Sequence, residues 1–310
     1  MAEPALIAVD WGTSNFRGFL LDGGGQVREV SHAELGILQV EGGDFAGAFR
    51  QLVGRWTTAY PETPVLLSGM IGSRQGWTEA PYVECPAAFS ALAAALHPVP
   101  GTPYLIVPGL SARGPSGVHD VIRGEETQVV GAGGVARRWL CLPGTHAKWV
   151  QLDGDRIEGF HTAMTGEIYA ALCDHTILGR LMEGAADDAV AFDRGLARAG
   201  DGGGLLNHLF GVRAEGLFGV LAPGSLRSYL SGILIGHEIA GILAMAPGLR
   251  EISVVGAADL TARYRHGLRR HGIAVEVIDG EAAAARGLWW LAAKAGLLGR
   301  EPQDRRGERN

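Results

Sequence analysis

Four short stretches of this 310-residue chain gather small, polar and acidic residues in patterns that suit phosphate and proton chemistry. In "AVDWGTSNF" an apolar run ends on Asp10, and Gly12, Thr13, Ser14 and Asn15 follow before a second apolar run begins. Such a bend exposes backbone amides and short hydroxyls, which suit phosphate oxygens. A carboxylate at a strand end can hold Mg²⁺, because hard cations prefer oxygen. "LPGTHAKW" sets Gly144, Thr145 and His146 in the matching place of a second, similar unit, and Lys148 can help to neutralise phosphate charge. In "VIRGEETQ" Glu125 and Glu126 open a helix. A carboxylate there can accept the proton of an alcohol during phosphoryl transfer, although acids at a helix start also serve the helix dipole. Neighbouring helix positions diverge by about 100°, so one acid faces the reaction; Glu125 is the first choice and Glu126 the second. "VVGAADLTARY" reads as strand, glycine turn and helix, in which Gly256 and Ala257 leave room for a flat adenosine group.

Regular elements must position these groups. Residues 5–10 and 16–21 read as strands, and "DGGGQ" turns the chain into a third strand near 26–32. A sheet that opens with antiparallel strands is not a Rossmann start, where the first strand feeds a helix. "DFAGAFRQLVGRWTTAY" has helical spacing, "PVLLSGM" and "YLIVPGL" read as strands, and "SALAAALH" as a helix between them. "EETQVVGAGGVARR" is expected to be helical. "RWLCLPGTHAKWVQLDGDRIEGFHTA" then repeats the opening pattern of strand, bend, strand, hairpin turn and strand. The class is α/β, and two copies of one unit suggest two similar lobes whose phosphate bends face each other across a cleft. The expected division is 1–136 and 137–297, with 298–310 as a charged tail without apolar anchors.

Composition narrows the classes. Hydrophobic residues make up 47% and charged residues 19%, so a sizeable core can form. The net charge of −6 argues against a nucleic-acid surface. Cys85, Cys141 and Cys173 are far apart and form no Cys-x-x-Cys pair, which argues against a disulfide scaffold, a structural zinc site or an iron–sulfur cluster. "YLSGILIGHEIAGILAMA" is apolar, but His237 and Glu238 in its middle favour a buried helix over a membrane span. The N-terminus lacks a basic segment and does not read as a signal peptide, so a cytoplasmic protein is expected. "VVGAGGVA" lacks the full dinucleotide fingerprint, and neither a P-loop nor a nucleophile elbow occurs.

Together the motifs resemble the superfamily of acetate and sugar kinases, heat-shock chaperones and actin. "VDWGTSNFR" is similar to its first phosphate motif, "LPGTHAKW" to its second and "VVGAADLTARY" to its adenosine motif. Longer stretches narrow this to the 2-dehydro-3-deoxygalactonokinase family: "SGMIGSRQGWTEAPYVECPA", "VIRGEETQVVGA", "LPGTHAKWVQLDGDRIEGFHTAMTGE", "LSGILIGHEI" and "LTARY", from about Leu6 to about Leu291.

The resemblance implies a two-lobed ribonuclease H-like fold. It implies ATP and Mg²⁺ as cofactors, and transfer of the γ-phosphoryl group to the 6-hydroxyl of 2-dehydro-3-deoxy-D-galactonate. Related kinases often carry Asp where this chain has Glu125 or Glu126. ATP is expected at Gly12, Thr13, Ser14, Asn15, Arg17, Gly144, Thr145, His146, Lys148, Gly256 and Ala257, with the metal near Asp10. The acid is expected near Asn15, Gly72, Ser73, Arg74, Gln75, Trp77, Arg123 and Glu167; Arg74, Arg17 and Arg123 compete for its carboxylate. A rival reading is a non-catalytic, ATP-switched sensor or chaperone-like protein on the same fold. The sequence leaves the oligomeric state open, a homodimer included.

Overall fold

The computed structural model describes residues 3–114, 117–133, 138–184 and 187–298. The expected tail from 299 onward, and the helical reading over 134–137, lie outside these residues. Along the chain the elements are β1 (Pro4–Trp11), β2 (Phe16–Asp22), β3 (Val27–Ala33), α1 (Phe45–Ala59), β4 (Val65–Ser68), β5 (Tyr82–Glu84), β6 (Ala87–Ala88), α2 (Phe89–Ala94), β7 (His97–Pro98), β8 (Leu105–Ile106), β9 (Gly109–Arg113), β10 (His119–Ile122) and α3 (Glu125–Ala132). There follow β11 (Arg138–Leu142), β12 (Ala147–Asp153), β13 (Arg156–Ala163), α4 (Thr165–His175), α5 (Ala189–Arg198), α6 (Gly204–Leu217), α7 (Leu226–Met245), β14 (Glu251–Gly256), α8 (Ala258–Arg270), β15 (Ala274–Asp279) and α9 (Gly280–Lys294).

Two compact units form. Among the described residues, the first holds those within 3–133, 150–160 and 280–298, and the second those within 138–149 and 161–279. The units interleave along the chain, where the sequence suggests a single change-over near residue 136. The last helix explains part of this, because α9 packs on α3 and β1. Gly131 and Gly287 face each other at that crossing. A Cβ on Gly131 would fall 1.8 Å from the Ala283 carbonyl oxygen, and one on Gly287 1.8 Å from that of Thr127. Only glycine permits so close an approach.

The first unit is built on a six-stranded sheet of order β3-β2-β1-β4-β8-β7. Its first three strands are antiparallel neighbours, and β4 and β8 add in parallel. The apolar positions of α1, Phe45, Phe49, Val53 and Trp56, fall at helical spacing and join Ile7, Val9, Trp11 and Phe16 in one buried cluster. Each such side chain contributes about 1.5–3 kcal/mol by leaving water. Asp44 caps α1 by accepting the Gly47 N–H at 2.8 Å. The expected strand "YLIVPGL" divides into two. Pro108 cannot donate to a ladder, so β8 ends before it and β9 enters a separate three-stranded sheet of order β10-β9-β5.

A second six-stranded sheet has the order β15-β14-β11-β12-β13-β6, with β14 and β11 parallel. In the second unit Trp149, Val254, Ile235, Ile239, Tyr264 and Leu268 form a buried cluster. The segment Pro223–Met245 is long and apolar enough to cross a membrane, but 61% of its most apolar window is buried in protein. Helix α7 within it packs against α5 and α8. Gly232 lets α5 and α7 approach closely, since a Cβ there would fall 2.2 Å from the Phe192 carbonyl oxygen.

Candidate active site

The opening bend is held from both sides. Trp11 and Phe16, the residues flanking it, pack edge to face with centroids 5.0 Å apart. Gly12 N–H donates to the Asn15 carbonyl at 2.9 Å, and Ile37 N–H to the Gly12 carbonyl at 3.0 Å. Gly36 lies directly beneath, where a Cβ would overlap the Thr13 carbonyl oxygen at 2.0 Å. Thr13, Ser14 and Asn15 are exposed. The result is a rigid bend that presents small polar residues to solvent.

Asp10, the last residue but one of β1, is a buried carboxylate paired with Arg17 through Nη2–Oδ2 at 2.7 Å. Burial pushes its carboxyl above the ordinary aspartate range, opposed by the Arg17 charge. Gly69, at φ 91° just after β4, makes room here: a Cβ on it would stand 3.2 Å from Asp10 Oδ1 and 2.7 Å from the Trp11 carbonyl oxygen. Gly124 packs on Gly69 in turn, since its Cβ would lie 3.2 Å from the Gly69 Cα. This stack of two glycines brings the start of α3 close to Asp10.

Helix α3 opens without a side-chain cap at Gly124, and its two acids separate. Glu126 is 0% exposed, and its Oε2 accepts the Gly124 N–H at 2.6 Å. Burial, reinforced by the neighbouring Glu125, pushes its carboxyl up to about 8. Glu126 is therefore mostly protonated at neutral pH, and it is sealed from solvent. Glu125 is half-buried, and its Oε2 accepts the Arg123 N–H at 3.2 Å.

The loop after β4 carries the remaining first-unit candidates. Gly72 is buried, and Gln75 and Arg74 are exposed. Arg74 pairs with Glu79 at 3.4 Å with 86% of its side chain in solvent. Trp77 turns inward onto Phe49 and Tyr104, with centroids 5.9 and 6.1 Å away. Asn15 and Arg17 also line a cavity of 450 Å³ with His32, Glu34 and Glu281.

In the second unit the bend between β11 and β12 is clamped to the start of α4. Glu167 N–H donates to the Thr145 carbonyl at 3.0 Å, and the Glu167 carboxylate bonds to His146. Gly166 presses against the bend, where a Cβ would fall 2.5 Å from the Gly144 carbonyl oxygen. Lys148 is buried and donates to the His146 carbonyl at 3.1 Å, bracing the bend from behind. Gly256 comes to the same end of the sheet as Pro143, because β11 and β14 run parallel side by side. A Cβ on Gly256 would lie 3.8 Å from the Pro143 carbonyl oxygen. Ala257 follows directly as the residue before α8. The ends of adjacent parallel strands are where open α/β sheets bind ligands.

Beside this bend lies a 290 Å³ cavity lined by Thr145, Gly166, Tyr169, Leu234, Leu260 and Tyr264, among others. Glu238 anchors one wall, accepting Trp149 Nε1–H at 2.6 Å and the Tyr264 hydroxyl at 2.6 Å. The sequence reading omits Tyr169, Leu234 and Leu260. The available signal was an acid at Glu238 inside an apolar helix, which implied buried donors around it.

The chain has the ribonuclease H-like fold found in actin and sugar kinases. At 12% identity it shares that fold with the ADPNP-bound activator of the 2-hydroxyisocaproyl-CoA dehydratase of Clostridium difficile, with a TM-score of 0.51 over 94% of this chain and 96% of that one. The family model for 2-keto-3-deoxy-galactonokinase matches residues 10–291, and the chain belongs to that family. The 2-dehydro-3-deoxygalactonokinase of Escherichia coli K12 is 36% identical over 287 residues, covering 92% of this chain and 97% of that protein. A Rhizobium meliloti (strain 1021) protein assigned the same activity is 38% identical over 301 residues, with the same coverage, 92% and 97%. A crystal structure from Sinorhizobium meliloti, also so assigned, has a TM-score of 0.86 at 36% identity, covering 93% of this chain and 98% of that one.

Proposed function

We propose that this chain transfers the γ-phosphoryl group of ATP to the 6-hydroxyl of 2-dehydro-3-deoxy-D-galactonate, giving the 6-phosphate and ADP. The observation that carries the reading is the 36% identity to the Escherichia coli 2-dehydro-3-deoxygalactonokinase across 97% of that protein. A small sugar acid and ATP are then its partners, and the cytoplasm is its place of action.

The site geometry supports a division of labour. Phosphoryl transfer asks little covalent work of a protein and much positioning. Each unit offers a polar bend suited to phosphate oxygens, Thr13–Asn15 in the first and Gly144–His146 in the second. The cavity beside Leu234 and Tyr264, with Gly256 and Ala257 at the neighbouring strand end, takes the adenosine. Glu125, the more accessible of the two acids, accepts the proton of the 6-hydroxyl; Glu126, buried with its Oε2 on the Gly124 N–H, is the second candidate. Arg17 holds the Asp10 carboxylate in place.

Asp10 fits a role toward Mg²⁺. It is a hard oxygen donor three residues before the exposed polar bend Thr13–Asn15, next to Gly69. Mg²⁺ in phosphoryl-transfer sites is commonly held by one or two carboxylates together with the nucleotide phosphates and water, and Asp10 would be that carboxylate. When bound, such an ion neutralises charge on the phosphates. The test is ADP release with ATP and the acid. Acceptor-dependent release supports the proposal, and ATP binding without it would favour a nucleotide-switched protein.

A further inference from the structure

We infer that the Arg123 guanidinium anchors the carboxylate of the acceptor acid, with the Ser73 hydroxyl, on the residue after Gly72, as a second donor. This rests on the function proposed above. Three arginines compete for that role, and their surroundings separate them. Arg17 is committed to Asp10 at 2.7 Å. Arg74 projects into solvent beside Glu79. Arg123 is only 8% exposed, and its charge is held inside the first unit.

The Arg123 side chain is fixed in place and incompletely satisfied. Nη2 donates to the Ala80 carbonyl at 2.8 Å, and the guanidinium lies 4.3 Å over the Tyr82 ring. Nε and Nη1 are buried and have no hydrogen-bond partner among the described residues. Gly72 gives Nη1 its space, since a Cβ there would stand 3.1 Å from it. The next residue, Ser73, carries a buried Oγ that is likewise without a partner among the described residues. Buried donors left unmatched in one neighbourhood are costly, and native proteins seldom keep them without a use.

The charge balance points the same way. The nearby Glu126 carboxyl is pushed up to about 8, so it does not offset the Arg123 charge at neutral pH. An incoming carboxylate supplies acceptor oxygens for these unmatched donors in one group. The same turn holds Glu125, whose carboxylate accepts the Arg123 backbone N–H at 3.2 Å. One turn of chain thus defines both ends of the acceptor, with the acid group at Arg123 and the reacting hydroxyl at Glu125.

The experiment compares 2-dehydro-3-deoxygalactonate with its neutral C1 amide at saturating ATP. Wild type is expected to favour the acid. Arg123→Gln is expected to raise the KM for the acid about 100-fold, with the KM for ATP unchanged, and to abolish the preference for acid over amide. Arg123→Lys should restore part of that preference. An Arg123→Gln enzyme that still prefers the acid, with its KM within about threefold of wild type, overturns the inference. If Arg123→Gln fails to fold, Ser73→Ala decides. A KM for the acid raised about fivefold, with that for the amide unchanged, supports the anchor, and unchanged values for both overturn it. A wild-type chain that phosphorylates no 2-dehydro-3-deoxy acid overturns the proposed function itself, and this inference with it.

Discussion

Asp10 and Arg17 are cross-strand partners in the first hairpin, directly opposite in the β1–β2 register, and their side chains close an ion pair of 2.7 Å. The pair brackets the bend that carries Thr13, Ser14 and Asn15. Register therefore sets the position of the carboxylate relative to the polar bend, and a one-residue slip would turn Asp10 to the other face of the sheet. Asp10→Asn keeps the shape but removes the charge. It is expected to lower turnover by about 100-fold or more and to raise the Mg²⁺ concentration needed for half-activity. Steady-state rates across a Mg²⁺ titration check this.

The two acids at the start of α3 differ in access and charge. Glu125→Gln is expected to lower kcat by about 10²–10⁴-fold with little change in ATP affinity, as loss of a general base does. Glu126→Gln mimics the neutral carboxyl already present at pH 7 and should keep most of the activity. Parallel kcat measurements and ATP titrations of the two variants test the ordering; an active Glu125→Gln beside a dead Glu126→Gln would reverse it.

Glu126 also makes a pH prediction. Its folded-state value of about 8 lies above the ordinary glutamate value of 4.5. The folded state therefore holds a proton that the unfolded chain has released. Stability is full below about pH 4.5 and falls as pH rises toward about 8, by up to about 1.4 kcal/mol per pH unit from this group. Melting temperatures of wild type and Glu126→Gln should diverge across that window in favour of the variant. Parallel curves would contradict the buried, protonated state.

Helix α3 is placed by its glycine crossing with α9. Gly287→Ala puts a methyl group against the Thr127 carbonyl, where an ideal Cβ stands only 1.8 Å away. The helices must separate, at a cost of about 1–3 kcal/mol or more. Because α3 carries Glu125, kcat should fall along with the melting temperature. Denaturant unfolding and kcat on the same preparation measure both.

The cavity beside the second bend predicts a nucleotide-specific effect. Leu234→Trp fills part of its 290 Å³. The KM for ATP should rise by at least about tenfold, equivalent to 1.4 kcal/mol, while the KM for the sugar acid stays near wild type. An equal rise in both would place the adenosine elsewhere.

Much of this was legible in the sequence for a physical reason. Both bends join two apolar runs through Gly and short polar residues, and that pattern has few other solutions than a tight turn between strands. Helix α1 announced itself through Phe45, Phe49, Val53 and Trp56. The three-stranded sheet of β5, β9 and β10 was not legible, because "YVE" and "HDVI" are too short and polar to show a period. That Glu125 and Glu126 point apart was legible from helix geometry, but the complete burial of Glu126 was not. It depends on what packs around α3, notably on α9, which arrives from the far end of the chain. The satisfaction of Trp149 and Tyr264 by Glu238 is likewise a contact across long sequence separation.

The most direct test of the central claim is phosphorus NMR and ADP release with purified protein, ATP and 2-dehydro-3-deoxy-D-galactonate. The account predicts one ADP per acid consumed and a single new phosphate monoester on carbon 6, both lost in Glu125→Gln. ATP bound tightly with no acceptor-dependent ADP, or a phosphate on another carbon, would contradict it.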